Sequence, residues 1–394
     1  MDAMRKLPIG IQTFEEIRKE NYLYVDKTAW VYQIVCVGKP YFLSRPRRFG
    51  KSLLITTLEA YFQGRKDLFE GLAIEKLEKD WIEYPVLHLD LNAEKYDAPE
   101  RLHSMLNRYL SIWEETWGKN PAEITSADRF FGIIRRAYEQ TGRQVVVLID
   151  EYDKPLLQAL LDEPLLEEYR RILKAFYGVL KSADRYLRFV FLTGVTKFAQ
   201  DYTSVFCSSM NQLQDISARF DYSAVCGITK DELQQTFVPE LNALAQRKKM
   251  TFREVLDEVV LQCGGFHFYP HSQEVLNLSK VFTILSAGKC ESDKSQVEEL
   301  ICLSQFLNHS NYDFYRLNED IEVASSAFLE CTVGVDNPLP MLYRHGYLTI
   351  KDYDKELKLY TLGFPNDEVR YGFRNLLLPN YSKETRNISR YCMG

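Results

Sequence analysis

Residues 40–54 constrain the fold of this chain more than any other stretch: Pro40-Tyr41-Phe42-Leu43-Ser44-Arg45-Pro46-Arg47-Arg48-Phe49-Gly50-Lys51-Ser52-Leu53-Leu54. The apolar run Tyr41–Leu43 reads as a strand, and it breaks into a turn rich in proline and arginine. Gly50-Lys51-Ser52 then opens a segment in which Leu53, Leu54, Thr57, Leu58 and Tyr61 keep helical spacing. Strand, loop and helix in that order suit an anion, because a glycine lets the backbone approach closely and the unpaired amides of a helix start point outward. Lys51 would reach the β- and γ-phosphates of a nucleotide, and the Ser52 hydroxyl would hold magnesium. The usual phosphate loop is G-x-x-x-x-G-K-[ST], and its first glycine falls on Arg45 here. A bare Gly-Lys-Ser also starts ordinary helices after a proline turn, so a second signal is needed.

That signal is Gln144-Val145-Val146-Val147-Leu148-Ile149-Asp150-Glu151-Tyr152-Asp153. Val145–Ile149 reads as a strand buried on both faces, as in the middle of a parallel sheet. The acids follow at its carboxyl end, where open α/β sheets bind ligands. Asp150 suits a magnesium site and Glu151 a general base that activates water. Acids after a strand also cap helices, and Asp153 before Lys154-Pro155 fits that use.

On these residues the chain resembles the predicted AAA-ATPase-like family. The resemblance rests on Tyr24-Val25-Asp26-Lys27-Thr28, on Phe42–Ser52 and on Tyr360-Thr361-Leu362-Gly363-Phe364-Pro365-Asn366-Asp367-Glu368-Val369, with support from Leu192–Phe198. It implies an ATP- and magnesium-dependent P-loop ATPase core, with Arg45, Pro46, Arg47, Arg48, Phe49, Gly50, Lys51, Ser52 and Leu53 around the nucleotide and Ser52 and Asp150 on magnesium. Glu151, Lys51 and Thr193 are the implied catalytic residues, with Thr196 second to Thr193. In the family the arginine-rich loop itself replaces the first phosphate-loop glycine. Members often carry a C-terminal PD-(D/E)XK nuclease-like domain, and none is expected here, since the chain ends at Gly394. A bacterial source goes with the resemblance.

The 394 residues suffice for two or three domains, and a 46% hydrophobic fraction with 25 Tyr and 23 Phe supports packed cores. A net charge of -6 gives no bulk attraction to nucleic acid, so any such site is a local patch. Eight scattered cysteines with no C-x-x-C pair read as reduced, mostly buried thiols of a cytoplasmic protein. No signal peptide or spanning segment is expected.

In chain order, Ile9, Phe14 and Tyr24 lead into a helix over 29–37; by resemblance this lead-in lies beside the nucleotide base, and by burial alone it packs under the sheet. Pro85–Asn92 reads as a strand near a sheet edge. Helices are expected over 99–116, 127–141 and 165–184. Trp113 and Trp117 keep core spacing, and Arg170-Arg171 reads as a solvated face or a basic rim for a partner. Arg188–Gly194 is a further buried strand, and Tyr222–Gly227 is expected to be the fifth. Thr229 with Glu232 forms a capping box near the core boundary at about residue 228. Cys263, His267 and His271 recur every fourth residue, but Gly264, Gly265 and Pro270 oppose the helix that would align them on a metal.

The expected architecture is therefore α/β: an ASCE/AAA-like P-loop core with a parallel sheet and flanking helices (1–228), a helical region (229–300), and a winged-helix-like module (301–394). The module is read as strand Tyr347–Ile350, turn Asp352–Lys355, strand Leu357–Leu362 and helix Asn366–Leu378. Three functions follow: an ATPase that moves its C-terminal domain, a nucleotide switch with little turnover, and an ATPase partner of a nuclease acting on nucleic acid. Charge stabilisation would fall to Arg45, Arg47, Arg48 or Arg219, or to a neighbouring subunit in a homo-oligomer.

Overall fold

The structure is a computed structural model and describes residues 5–38, 40–195, 213–288, 297–328 and 337–376. The chain divides into two units, Met1–Gly227 and Ile228–Gly394.

The first unit is built on a five-stranded parallel sheet of β1 (Pro40–Ser44), β2 (Val86–Asp90), β3 (Val145–Asp150), β4 (Leu187–Gly194) and β5 (Gln214–Asp215), in the order β2-β3-β4-β1-β5. Every residue of β3 is buried, as the aliphatic run requires of a strand covered on both faces. β2 lies at the sheet edge with alternating burial. Register places the strand ends side by side: Ser44 opposite Gly194, Leu43 opposite Thr193, Ile149 opposite Leu192, and Asp90 opposite Asp150.

Around the sheet lie α1 (Phe14–Lys19), α2 (Thr28–Val37), α3 (Lys51–Phe62), α4 (Ala73–Leu77), α5 (Pro99–Trp117), α6 (Ser126–Thr141), α7 (Lys154–Gln158) and α8 (Glu163–Ser182). Alternation along the strands sends Val145, Val147, Ile149, Val190 and Leu192 into one core with α5, α6 and α8. There Trp113 stacks on Phe130, and Phe130 on Phe176. The other face turns Phe189 and Phe191 toward Tyr41 and toward Phe62 of α3. Trp113 is thus a core residue, and Arg170 and Arg171 pair with Glu167 and Glu168 on the surface of α8.

The second unit holds α9 (Lys230–Thr236), α10 (Val238–Lys248), α11 (Phe252–Cys263), α12 (Leu278–Ala287) and α13 (Val297–Asn308), with the short pair β6 (Ile228–Thr229) and β7 (Val275–Leu276). The capping box at the start of α9 is formed: Thr229 N–H donates to Glu232 at 2.8 Å, and Glu232 N–H donates to the Thr229 hydroxyl at 3.2 Å. β8 (Ile321–Ala324), α14 (Ser325–Phe328), α15 (Leu339–Arg344), β9 (Thr349–Asp354), β10 (Leu359–Gly363) and a helix over 367–376 follow, with the three strands in the antiparallel order β8-β10-β9.

Several sequence expectations need correction. Tyr222–Gly227 is not a strand; the fifth strand is Gln214–Asp215, and the later residues turn because their carbonyls are taken by side chains rather than by a neighbouring strand. The C-terminal hairpin turns at 355–358, not at Asp352–Lys355, because Tyr353 stays in register to pack on Tyr360 and Asp354 accepts from Glu356 N–H and Leu357 N–H. β8 was not foreseen. Ile9 is 52% exposed instead of packed, whereas Phe14 is buried against Tyr24 and Phe69. α11 stops at Cys263, so Cys263, His267 and His271 do not share a helix face. Thr196, Lys197, Phe198 and the 208–212 segment lie outside the described residues, as does the end of the last helix.

Candidate nucleotide site at the strand ends

Between β1 and α3 the backbone turns through two left-handed residues, Arg48 (φ 67°) and Gly50 (φ 95°). Glycine adopts that conformation without penalty, and here it caps the first turn of a twelve-residue helix whose opening amides stay unpaired within the helix. Lys51 begins α3 with its side chain nearly fully buried at 4% exposure. Its Nζ lies 3.1 Å from Glu151 Oε1 and donates to the Arg45 carbonyl, also at 3.1 Å. Glu151 itself sits just past β3 in the left-handed region at φ 51°, a conformation non-glycine residues hold only when surrounding contacts impose it.

Those contacts come from β4. Tyr152 N–H donates to the Thr193 carbonyl at 2.9 Å, and the Asp153 carboxylate accepts from Val195 N–H at 3.0 Å. Asp153 is fully buried and does stand at the N-cap of α7, but its side chain makes no cap bond there and instead ties the turn after β3 to the end of β4. A side chain on Gly194 would come within 2.6 Å of Asp153 and 2.7 Å of the Tyr152 ring, which is why that position is glycine. The sequence signal for this tie was the Thr193-Gly194 pair, which also reads as an ordinary turn.

Asp150 accepts hydrogen bonds from the hydroxyls of Thr193 and Ser52, and its Oδ1 also accepts Glu151 N–H at 3.0 Å. Burial pushes the Asp150 carboxyl up, with the Glu151 charge adding to it, against the hydroxyl bonds and Lys51. Burial acts the same way on Glu151, but the charge of Lys51 and then that of Arg47 outweigh it and hold its carboxyl below the usual range. Two adjacent carboxyls are thus driven in opposite directions.

Arg45 is handled differently from its neighbours. At 1% exposure its guanidinium donates to the carbonyls of Ser44 (2.9 Å), Ser217 (2.7 Å) and Tyr222 (2.8 Å). Pro46 and Phe49 are buried, and the Phe49 carbonyl accepts Gly227 N–H at 2.7 Å. Leu53 is half-buried, its carbonyl accepting the Thr56 and Thr57 hydroxyls. Arg47 and Arg48 remain half-buried in the loop, and Arg219 is 46% exposed beside Asp221. Sequence reasoning missed Lys27, whose buried ammonium donates to the Ala224 carbonyl at 2.9 Å. It also missed Asp26, which accepts from Thr28 N–H at 2.8 Å and from Ala73 N–H at 2.7 Å, fixing the starts of α2 and α4 together.

A parallel sheet with a lysine- and serine-bearing helix start at one strand end, and acids at the next but one, defines an α/β nucleotide-binding module of the AAA-like class. Residues 8–206 match the family model described as "Predicted AAA-ATPase", and the chain belongs to that family. A curated relative from Azotobacter chroococcum mcd 1, described as "Uncharacterized protein in vnfD 5'region", is 33% identical over 392 residues, covering 98% of this chain and 73% of the relative. Among solved structures, that of the Aeropyrum pernix ORC1 protein in complex with DNA overlaps 89% of this chain and 91% of its own, at 12% identity and a TM-score of 0.29. No helix among the described residues is long and apolar enough to cross a membrane.

Proposed function

We propose that this protein binds ATP with magnesium at the ends of β1, β3 and β4, hydrolyses it, and couples nucleotide state to movement of its C-terminal domain. The observation that carries the reading is the meeting of Lys51 with Glu151 at 3.1 Å, beside Asp150 and its two hydroxyl partners. Two nearly buried cations, Arg45 and Lys51, lie in this loop, and a triphosphate would complement that charge.

Ser52 and Asp150 fit a magnesium ion: both offer hard oxygens, and the raised pKa of the buried Asp150 carboxyl marks a negative charge that its protein neighbours do not fully offset. When bound there, the ion neutralises charge on phosphate oxygens. The chain's own residues do the rest. Loop amides and Lys51 hold phosphates, Thr193 fixes the orientation of Asp150, and Glu151 accepts the proton of an attacking water. Among the loop arginines, Arg47 is one whose charge acts on Glu151, and it suits in-cis stabilisation of the γ-phosphate.

Replacing Glu151 with Gln is expected to lower magnesium-dependent ATP turnover by about a hundredfold or more while leaving ATP binding within a few-fold. Phosphate release together with binding of a fluorescent ATP analogue measures both, and unchanged turnover would sink the role given to Glu151.

A second reading, a nucleotide switch with little turnover, is favoured by one feature. Lys51 and Glu151 satisfy each other, and a carboxylate with a lowered pKa is a weak proton acceptor until Lys51 turns to a phosphate. Stoichiometric binding with negligible steady-state hydrolysis by the unaltered protein would select it. We also read the order β8, α14, α15, β9, β10 as winged-helix-like. Its hairpin carries Asp352, Asp354 and Glu356 beside Lys355 and Lys358, a mixture that suits a protein contact better than a phosphate backbone.

A further inference from the structure

The position that ordinarily carries the first glycine of a phosphate loop holds, in this chain, one of the largest fully buried side chains among the described residues. A buried guanidinium demands partners for its donors, and the Arg45 fork finds them in two directions: Ser44 and Ser217 from one amino group, Tyr222 from the other. Both distant acceptors lie on one segment, residues 213–227. That segment pairs with β1 through Gln214 and Asp215, and Ile216 N–H then donates to the Phe42 carbonyl at 3.0 Å. Beyond it, Ser44 N–H donates to the Ser217 hydroxyl at 2.7 Å, Trp30 Nε1 to the Asp221 carbonyl at 3.1 Å, Lys27 to the Ala224 carbonyl at 2.9 Å, and Gly227 N–H to the Phe49 carbonyl at 2.7 Å. The segment is a strap bonded to the phosphate loop at Arg45 and at Phe49. It holds little regular structure of its own, so backbone groups of β1 and the loop, with the side chains of Lys27, Trp30 and Arg45, fix its path.

We propose that Arg45 is a positioning residue, not a phosphate ligand: it locks the strap 213–227 to the phosphate loop, so that a nucleotide seated on the loop orders the strap as well. The proposal rests on the reading of residues 45–52 as the nucleotide loop. Two features connect the parts. The Arg45 carbonyl accepts from Lys51 Nζ, so the residue that grips the strap also sets the lysine. The strap ends at Gly227, directly before the second unit begins, and the chain runs from it into β6.

Arg45→Gly restores the residue of the ordinary motif, which makes it a discriminating variant. In the protein without nucleotide, hydrogen–deuterium exchange of amides at 216–227 is expected to quicken about ten- to a hundredfold in Arg45→Gly, the range for losing hydrogen bonds to a charged group, and to stay at the wild-type rate in Arg47→Ala. A phosphate-ligand role predicts no change in the strap when no phosphate is present, so wild-type exchange there in Arg45→Gly overturns the proposal. With Mg-ATP added, strap amides gain protection in the wild type and not in Arg45→Gly. The KM for ATP rises about tenfold or more in that variant while kcat stays within about threefold, because Asp150 and Thr193 stand on strands, Glu151 just past one, and none of the three on the loop. General structural damage would lower kcat instead and leave KM in place, and that outcome also overturns the proposal. Should Arg45→Gly fail to fold, Arg45→Lys decides, since it keeps the charge without the two-directional fork: quickened strap exchange supports the lock and wild-type exchange refutes it. If the unaltered protein shows no ATP binding, the proposed function falls, and the nucleotide-free exchange result still reports on the strap by itself.

Discussion

Asp150 and Glu151 are adjacent in the chain and opposite in titration, and the difference has a measurable consequence. An acid whose folded pKa is raised holds more protons folded than unfolded, so stability falls as pH climbs from the ordinary carboxylate value of 3.8 through the raised one. Above the ordinary carboxylate value a penalty for burying Asp150 is therefore present. Asp150→Asn keeps an oxygen that can accept from Thr193 and Ser52, and it is expected to stabilise the nucleotide-free protein by about 1–2 kcal/mol at neutral pH. The gain should vanish below about pH 4, where wild-type Asp150 is itself neutral. The same variant should lose magnesium-dependent binding of ATP. Urea denaturation at two pH values checks the first claim; equal stability of variant and wild type at neutral pH would mean that the protein neighbours already offset the charge. Glu151 runs the other way: its stabilising pair with Lys51 is present above the ordinary value of 4.5 and is lost as pH falls through the lowered one.

At the scale of elements, the phosphate-loop helix is pinned to the edge strand by one ion pair. His88 of β2 and Glu59 of α3 meet at 2.9 Å, with Asp90 and Asp150 as further acids near the ring. Burial pulls the imidazole down, and Glu59 with the two aspartates more than reverses it, leaving the pKa above the ordinary 6.5. A raised histidine contributes stability below its unfolded value and loses it as pH rises through the folded one. Denaturation midpoints are therefore expected to fall from about pH 6.5 upward in the wild type, and the fall should flatten in His88→Gln; parallel curves would exclude the pair as a cause. Elements whose chemistry is local were legible in the sequence. β3 showed itself as five consecutive aliphatic residues, α9 as Thr229 with Glu232 three positions on, and α8 as apolar residues at helical spacing. The convergence of Lys51, Asp150 and Thr193 was legible as well, because each stands at the end or start of such an element. The partners of Arg45 were not, since they lie 172 and 177 residues away and are backbone carbonyls, which carry no sequence signature. For the same reason β5 was misplaced: its two residues pair with β1 by backbone alone, while Tyr222–Val225 looks more strand-like by composition.

On the scale of the whole molecule, each unit encloses buried residues of its own. One surrounds β3 and β4, and the other contains Leu233, Phe237, Leu241, Val259 and Phe282. All the residues assigned to the nucleotide belong to the first. A ligand bound only to the folded form stabilises it by RT ln(1 + [L]/Kd), about 2.7 kcal/mol at a concentration one hundred times Kd. Val146–Ile149 are fully buried in the first unit and their amides exchange through its opening, so Mg-ATP at that concentration should slow them about a hundredfold under conditions where exchange follows the open population. Amides of Tyr360 and Leu362 in β10 report on the second unit and should slow much less. Equal slowing of both sets would show that the two units open as one, and the division at Gly227 would then have no energetic meaning. Slowing confined to β10 would place the nucleotide in the wrong unit altogether.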